Sequence, residues 1–159
     1  MSELVEVGFT WDGVPVGVDE RVRIVLTLDR DPLVIDVDAP YHGDPAPCGE
    51  PGPTDALWEH EVVELFVSGL APAGAPVPYL EVELSPHGHH LVLDLVGVRN
   101  AVRSGLESEY AARIDGSRWF GVARVPRRLL PGRPARFNAY AIHGLGADRR
   151  YLAMAPVPG

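Results

Sequence analysis

Apolar and polar residues alternate with a period of two in segment after segment of this chain. No long stretch carries the i, i+3, i+4 spacing of an amphipathic helix. Period two is the signature of a strand with one dry face. Strands are expected at 4–11, 22–28, 33–39, 57–67, 79–85, 90–96, 136–142 and 150–155, with a hairpin over 110–125 that turns at Asp115-Gly116. The stretch 40–56 is rich in glycine and proline and reads as a long loop. Only 125–132 invites a helical turn, and 99–108 fits either a strand or a turn. About ten short strands with short connections define an all-β, antiparallel β-sandwich of jelly-roll-like kind, in a single domain over 1–159.

Composition narrows the function classes. The net charge is −8, which makes nucleic acid a poor partner. The sequence contains no lysine, so Schiff-base chemistry and a P-loop nucleotide site are excluded. Cys48 is the single cysteine, so no intrachain disulfide forms. The first residues, MSELVEVGFTW, lack a basic start followed by an apolar run, and no segment has the length of a membrane span. A cytoplasmic protein without membrane contact is the expectation.

The strand faces carry the candidate chemistry. In YLEVEL, Tyr79, Glu81 and Glu83 point one way, and Leu80, Val82 and Leu84 the other. In the 57–67 segment Val63, Leu65 and Val67 form one row, and Val62, Glu64 and Phe66 the other. Glu64 among apolar neighbours needs a partner, and Arg124 and Arg150 are candidates. In HLVLDLV, His90, Val92 and Asp94 share a face. If these strands are neighbours, one sheet face gathers Glu64, Glu81, Glu83, His90 and Asp94. Two readings stay open: a solvated face crossed by ion pairs, or a polar site compensated by a cation, by arginines or by a polyhydroxylated ligand.

At these positions the sequence resembles a known family. The motifs are LWEHEVVELFV (57–67), YLEVELSPHGHH (79–90), FNAYAIHG (137–144) and RRYLAMAPVPG (149–159). They are similar to those of a family of small bacterial and animal proteins with no settled activity. That family is itself similar to the family-9-like carbohydrate-binding modules and the DOMON-like superfamily. The resemblance implies a β-sandwich whose concave face holds a sugar, with tryptophans stacking on pyranose rings and charged side chains meeting hydroxyls. Its matching positions here are Trp58, Glu61, Glu64, Glu81, Glu83, His87, His90, Asn100, Asn138 and His143. It also implies one or two further strands beyond Gly159. Ending there would leave an open sheet edge, through which a homodimer could pair.

The expected ligand-binding set is therefore Trp58, Glu61, Glu64, Glu81, Glu83, His90 and Asn138, and the expected partner is a small polar ligand such as a saccharide or glycoside. Trp11, Trp58 and Trp119 each fit either a sugar platform or the core. His87 and His89 have the i, i+2 spacing of a shared metal on a strand, although Pro86 and Gly88 favour a turn. No cofactor is expected; a divalent metal is the leading addition, and haem held by Met154 and a histidine, as in DOMON-like relatives, is a remote one. Against the binding function stand an enzyme using acid–base chemistry at the same face, with or without metal, and an interaction module using a sheet edge.

Overall fold

A computed structural model of the chain describes residues 1–156. Twelve strands run through it in chain order. They are β1 (Ser2–Val7), β2 (Phe9–Thr10), β3 (Val22–Thr27), β4 (Leu33–Pro40), β5 (Val62–Ser68) and β6 (Pro78–Leu84). Then come β7 (His90–Val96), β8 (Ala101–Ser104), β9 (Glu109–Asp115), β10 (Arg118–Val125), β11 (Arg136–His143) and β12 (Arg150–Ala153). Five strands form one sheet in the order β1-β3-β4-β10-β9, and seven form the other in the order β2-β12-β11-β5-β6-β7-β8. All the strand pairings are antiparallel. The fold is the all-β sandwich that the alternating pattern demands.

The core lies between the sheets. Val5, Ile24, Leu26, Ile35, Val37 and Val125 reach it from the smaller sheet, and Val63, Leu65, Val67, Leu80, Val82 and Leu84 from the larger. Trp119 is buried among them at 1% exposure, so it is a core residue and not a sugar platform. A second apolar cluster lies on the far side of the larger sheet, where Val62, Leu91, Leu93, Leu95 and Ile142 pack with Leu57. The start of β5 and most of β7 are thus apolar on both faces, which explains their nearly continuous apolar runs.

Two strand assignments change. The 57–67 segment is not one strand: Leu57–Glu59 is a single 3-10 turn, and β5 starts at Val62. The 4–11 segment splits into β1 and β2. The undecided 99–108 stretch contains the edge strand β8, and the helical turn expected within 125–132 is the short Arg127–Leu129. The last described strand is not an open edge, because β12 pairs with β11 on one side and β2 on the other. Residues 157–159, the end of the RRYLAMAPVPG motif, lie outside the described residues.

Candidate functional site

Register places the polar residues of the larger sheet in rows across its outer face. Tyr140, Glu64, Glu83 and Leu91 are successive cross-strand partners, and Asn138, Phe66, Glu81 and Leu93 form the next row. Arg136, Ser68, Tyr79 and Leu95 form a third. Side chains directly opposite one another sit about 5 Å apart at Cβ, so like charges placed there repel. Glu64 and Glu83 are such a pair, with Glu81 one row away.

These rows open into a groove of about 1280 Å³. Glu64, Glu81 and Glu83 line it together with Trp11, Trp58, Phe66, Tyr79, Asn138 and Tyr140. The aromatic residues form a connected set. Trp11 lies 5.2 Å from Tyr140, Tyr140 5.4 Å from Phe66, and Phe66 5.9 Å from Tyr79, measured between ring centroids. Trp58 and Trp11 remain 45% and 43% exposed, so each presents an apolar face to the groove.

The three carboxyl groups are close and poorly compensated. One oxygen from each lies within 4.8 Å of the others. Glu83 is fully buried, and neither of its oxygens has a hydrogen-bond partner of good geometry. Burial raises its pKa, Glu64 and Glu81 raise it further, and only the backbone N–H of Trp58 opposes them. Burial pushes Glu64 up to about 8, Glu81 adds to this, and the Arg149 guanidinium offsets it in part. Burial raises Glu81 as well. An unpaired carboxylate in a dry site costs several kcal/mol, so the group keeps its proton or finds a cation.

The arginines expected beside Glu64 are engaged elsewhere. Arg150 forms a two-pronged ion pair with Glu20, at 2.8 and 3.1 Å. Arg124 stands on β10, in the other sheet, opposite Val34 and Glu109. Arg149 donates to the carbonyls of Trp58 (2.6 Å), His60 (3.3 Å) and Gly144 (3.1 Å). It thereby fixes the turn that carries Trp58.

The structure brings Glu64, Glu81, Glu83, Trp58 and Asn138 to one groove and leaves the other candidates out of it. His90 is opposite Leu84 and Asp94 opposite Leu80, both on the core side of the sheet, so the expected five-residue polar face is corrected to three glutamates. His90 packs on Tyr110 of β9 at 5.6 Å, and Asp94 pairs with Arg103 at 2.6 Å. Glu61 accepts the backbone N–H groups of His42 (3.0 Å) and Asp44 (3.1 Å), which ties down the long loop. His89 is buried, with Nδ1 2.8 Å from the Thr54 hydroxyl. His87 packs edge-on against Tyr41 at 5.7 Å. His143 stacks on His42 at 3.4 Å, and burial together with that neighbour lowers its pKa to about 4. Asn138 donates to the Tyr140 hydroxyl and accepts the N–H of Ala139. Asn100 donates to the Val96 carbonyl at 3.0 Å.

Sequence reasoning did not single out Tyr79 and Phe66 as site residues. The signal was present, since Tyr79 shares a face with Glu81 and Glu83, and Phe66 with Glu64.

Comparison with known proteins finds relatives that match nearly the whole of this chain, which spans about three quarters of their length. UPF0462 protein C4orf33 of Homo sapiens is 42% identical over 151 residues, 94% of this chain and 73% of that protein. The homolog in Rattus norvegicus is 43% identical over 155 residues, covering 96% and 75%. The chain belongs to the UPF0462 family. The Danio rerio homolog is 42% identical over 151 residues, covering 94% of this chain and 74% of that one. No family model matches the sequence. Among solved structures, a candidate carbohydrate-binding protein from Bacteroides uniformis superposes with a TM-score of 0.67 at 14% identity, over 98% of this chain and 78% of that one. At that identity the likeness is one of fold, a two-sheet β-sandwich. Among the described residues no helix is long and apolar enough to cross a membrane.

Proposed function

We propose that this protein binds a small polyhydroxylated ligand, a saccharide or glycoside, in the outer groove of the larger sheet, without transforming it. The observation that carries this reading is the pairing of exposed flat aromatics with hydrogen-bonding groups in one open groove. Trp58 and Trp11 offer apolar faces to the C–H face of a pyranose ring. Glu81, Asn138 and Arg136 offer acceptors and donors to hydroxyls. Glu64 and Glu83 line the same groove. Glu61 holds the loop at His42 and Asp44 and lies outside the groove, and His90 faces away from the ligand. The Bacteroides uniformis neighbour, described as a candidate carbohydrate-binding protein, is consistent with this use of the fold.

A thermal-melt screen against monosaccharides and disaccharides tests the reading. A ligand at about 100 times its Kd adds roughly 2.7 kcal/mol, worth about 5–11 °C at this chain length. A panel without any shift would contradict it. A second reading, acid–base catalysis, draws on Glu83, a buried carboxyl able to hold and release a proton beside the more accessible Glu81. Proton NMR of the bound sugar separates the two: an unchanged sugar after long incubation supports binding alone, and a new product supports catalysis.

A further inference from the structure

Acidic clusters are ordinary on sheet faces, and this one differs from an ordinary cluster by the state of Glu83. That side chain has 0% exposure, and both its oxygens lack a partner. It lines the groove and faces two other carboxyls. A buried anion of this kind is stable only with a compensating charge. The protein has no lysine to supply one. Arg149, the one cation acting on Glu64, is already committed to three backbone carbonyls.

The spacing indicates what would fit. Two oxygens on one ion can be no further apart than twice the metal–oxygen distance. For calcium that limit is about 4.6–5.2 Å, and for magnesium about 4.0–4.2 Å. Oxygens of Glu64, Glu81 and Glu83 all lie within 4.8 Å of one another, a separation comparable to that of two oxygens on one calcium ion. The donor set is all oxygen, which suits a hard cation.

We propose that Glu64, Glu81 and Glu83 hold one divalent cation of calcium type, and that this ion forms part of the ligand site. Calcium takes about six to eight oxygen ligands. Three carboxylates leave several positions, and those facing the groove are open to water or to ligand oxygens. Resting on the saccharide reading above, two vicinal hydroxyls of one sugar ring occupy adjacent positions on the ion while Trp58 or Trp11 covers the ring. The ligand class is then a neutral sugar with a vicinal diol.

The test is isothermal titration of the full chain, freed of metal with chelator, with calcium chloride at mildly alkaline pH. Terbium luminescence excited through the groove tryptophans provides a second readout. The expected result is one site per chain, weakened at least tenfold in Glu83→Gln, a near-isosteric change checked for folding by circular dichroism. Absence of calcium heat up to about 1 mM, the weak end of protein calcium sites, would overturn the proposal, as would equal binding by Glu83→Gln. Sugar titrations with and without chelator separate the two readings. Sugar binding that needs calcium supports both. Sugar binding indifferent to chelator removes the ion from the ligand site and leaves the saccharide reading standing. Calcium binding with no sugar response keeps the ion site and sinks the saccharide reading.

Discussion

Glu64→Gln should change how stability depends on pH. In the folded protein burial and Glu81 hold the Glu64 carboxyl at a pKa of about 8, against 4.5 for the free side chain. Between those values the folded state keeps a proton that the unfolded chain has released. The stability this group contributes is therefore complete below about pH 4.5, declines as pH rises through the window, and is gone once pH has passed about 8. Each pH unit inside the window removes about 1.4 kcal/mol. From about pH 5.5 to 7.5 the wild type then loses up to about 3 kcal/mol through this group alone, or roughly 6–12 °C in melting temperature. A glutamine of nearly the same shape does not titrate. Melting curves in chelator, followed by circular dichroism across that range, should show the variant losing stability less steeply and exceeding the wild type at the alkaline end. Parallel curves would refute the argument that Glu64 is buried without adequate compensation. Glu83 remains in both proteins and gives them a shared residual slope of the same sign.

The tryptophans should separate by role. Trp119→Ala removes a side chain at 1% exposure and should cost about 3–5 kcal/mol by denaturant unfolding. Trp58→Ala should leave the fold intact and weaken sugar affinity about tenfold, about 1.4 kcal/mol. Arg149→Ala should also weaken the sugar, because the Trp58 turn loses the guanidinium on its carbonyls at 2.6 and 3.3 Å, and its melting temperature should fall only slightly. Gly121→Ala would bring a Cβ to 2.5 Å from the Tyr110 hydroxyl and 3.0 Å from the Trp119 ring; a loss of about 1–3 kcal/mol is expected from its melting curve.

The sequence was legible where alternation had one answer. In YLEVEL the apolar row goes to the core, so Tyr79, Glu81 and Glu83 had to face out, and the structure agrees. It was ambiguous in HLVLDLV. There Leu91, Leu93 and Leu95 cover the outer cluster while Val92 enters the main core, so both faces are dry and alternation does not decide which is which. The row containing His90 and Asp94 looked like a wet face and is the inner one. The Leu57–Glu59 turn was hidden for a different reason. Its apolar residues fit a strand, but Leu57 fills the second cluster and Arg149, 91 residues beyond Trp58, takes its carbonyl. Contacts at that separation have no local pattern. Glu61 was read as a ligand contact from its place in the motif; its pairing with two loop amides depends on how residues 42–44 fold back, which periodicity does not reveal.

The most direct test of the groove as a saccharide site is chemical-shift mapping by nitrogen-15 NMR during titration with a sugar that scores in the thermal screen. The account predicts progressive shifts at the Trp58 and Trp11 indole N–H groups and at amides of β5, β6 and β11, with the Trp119 indole unmoved. Shifts confined to the smaller sheet, or indole signals that stay fixed while sugar binds elsewhere, would contradict it.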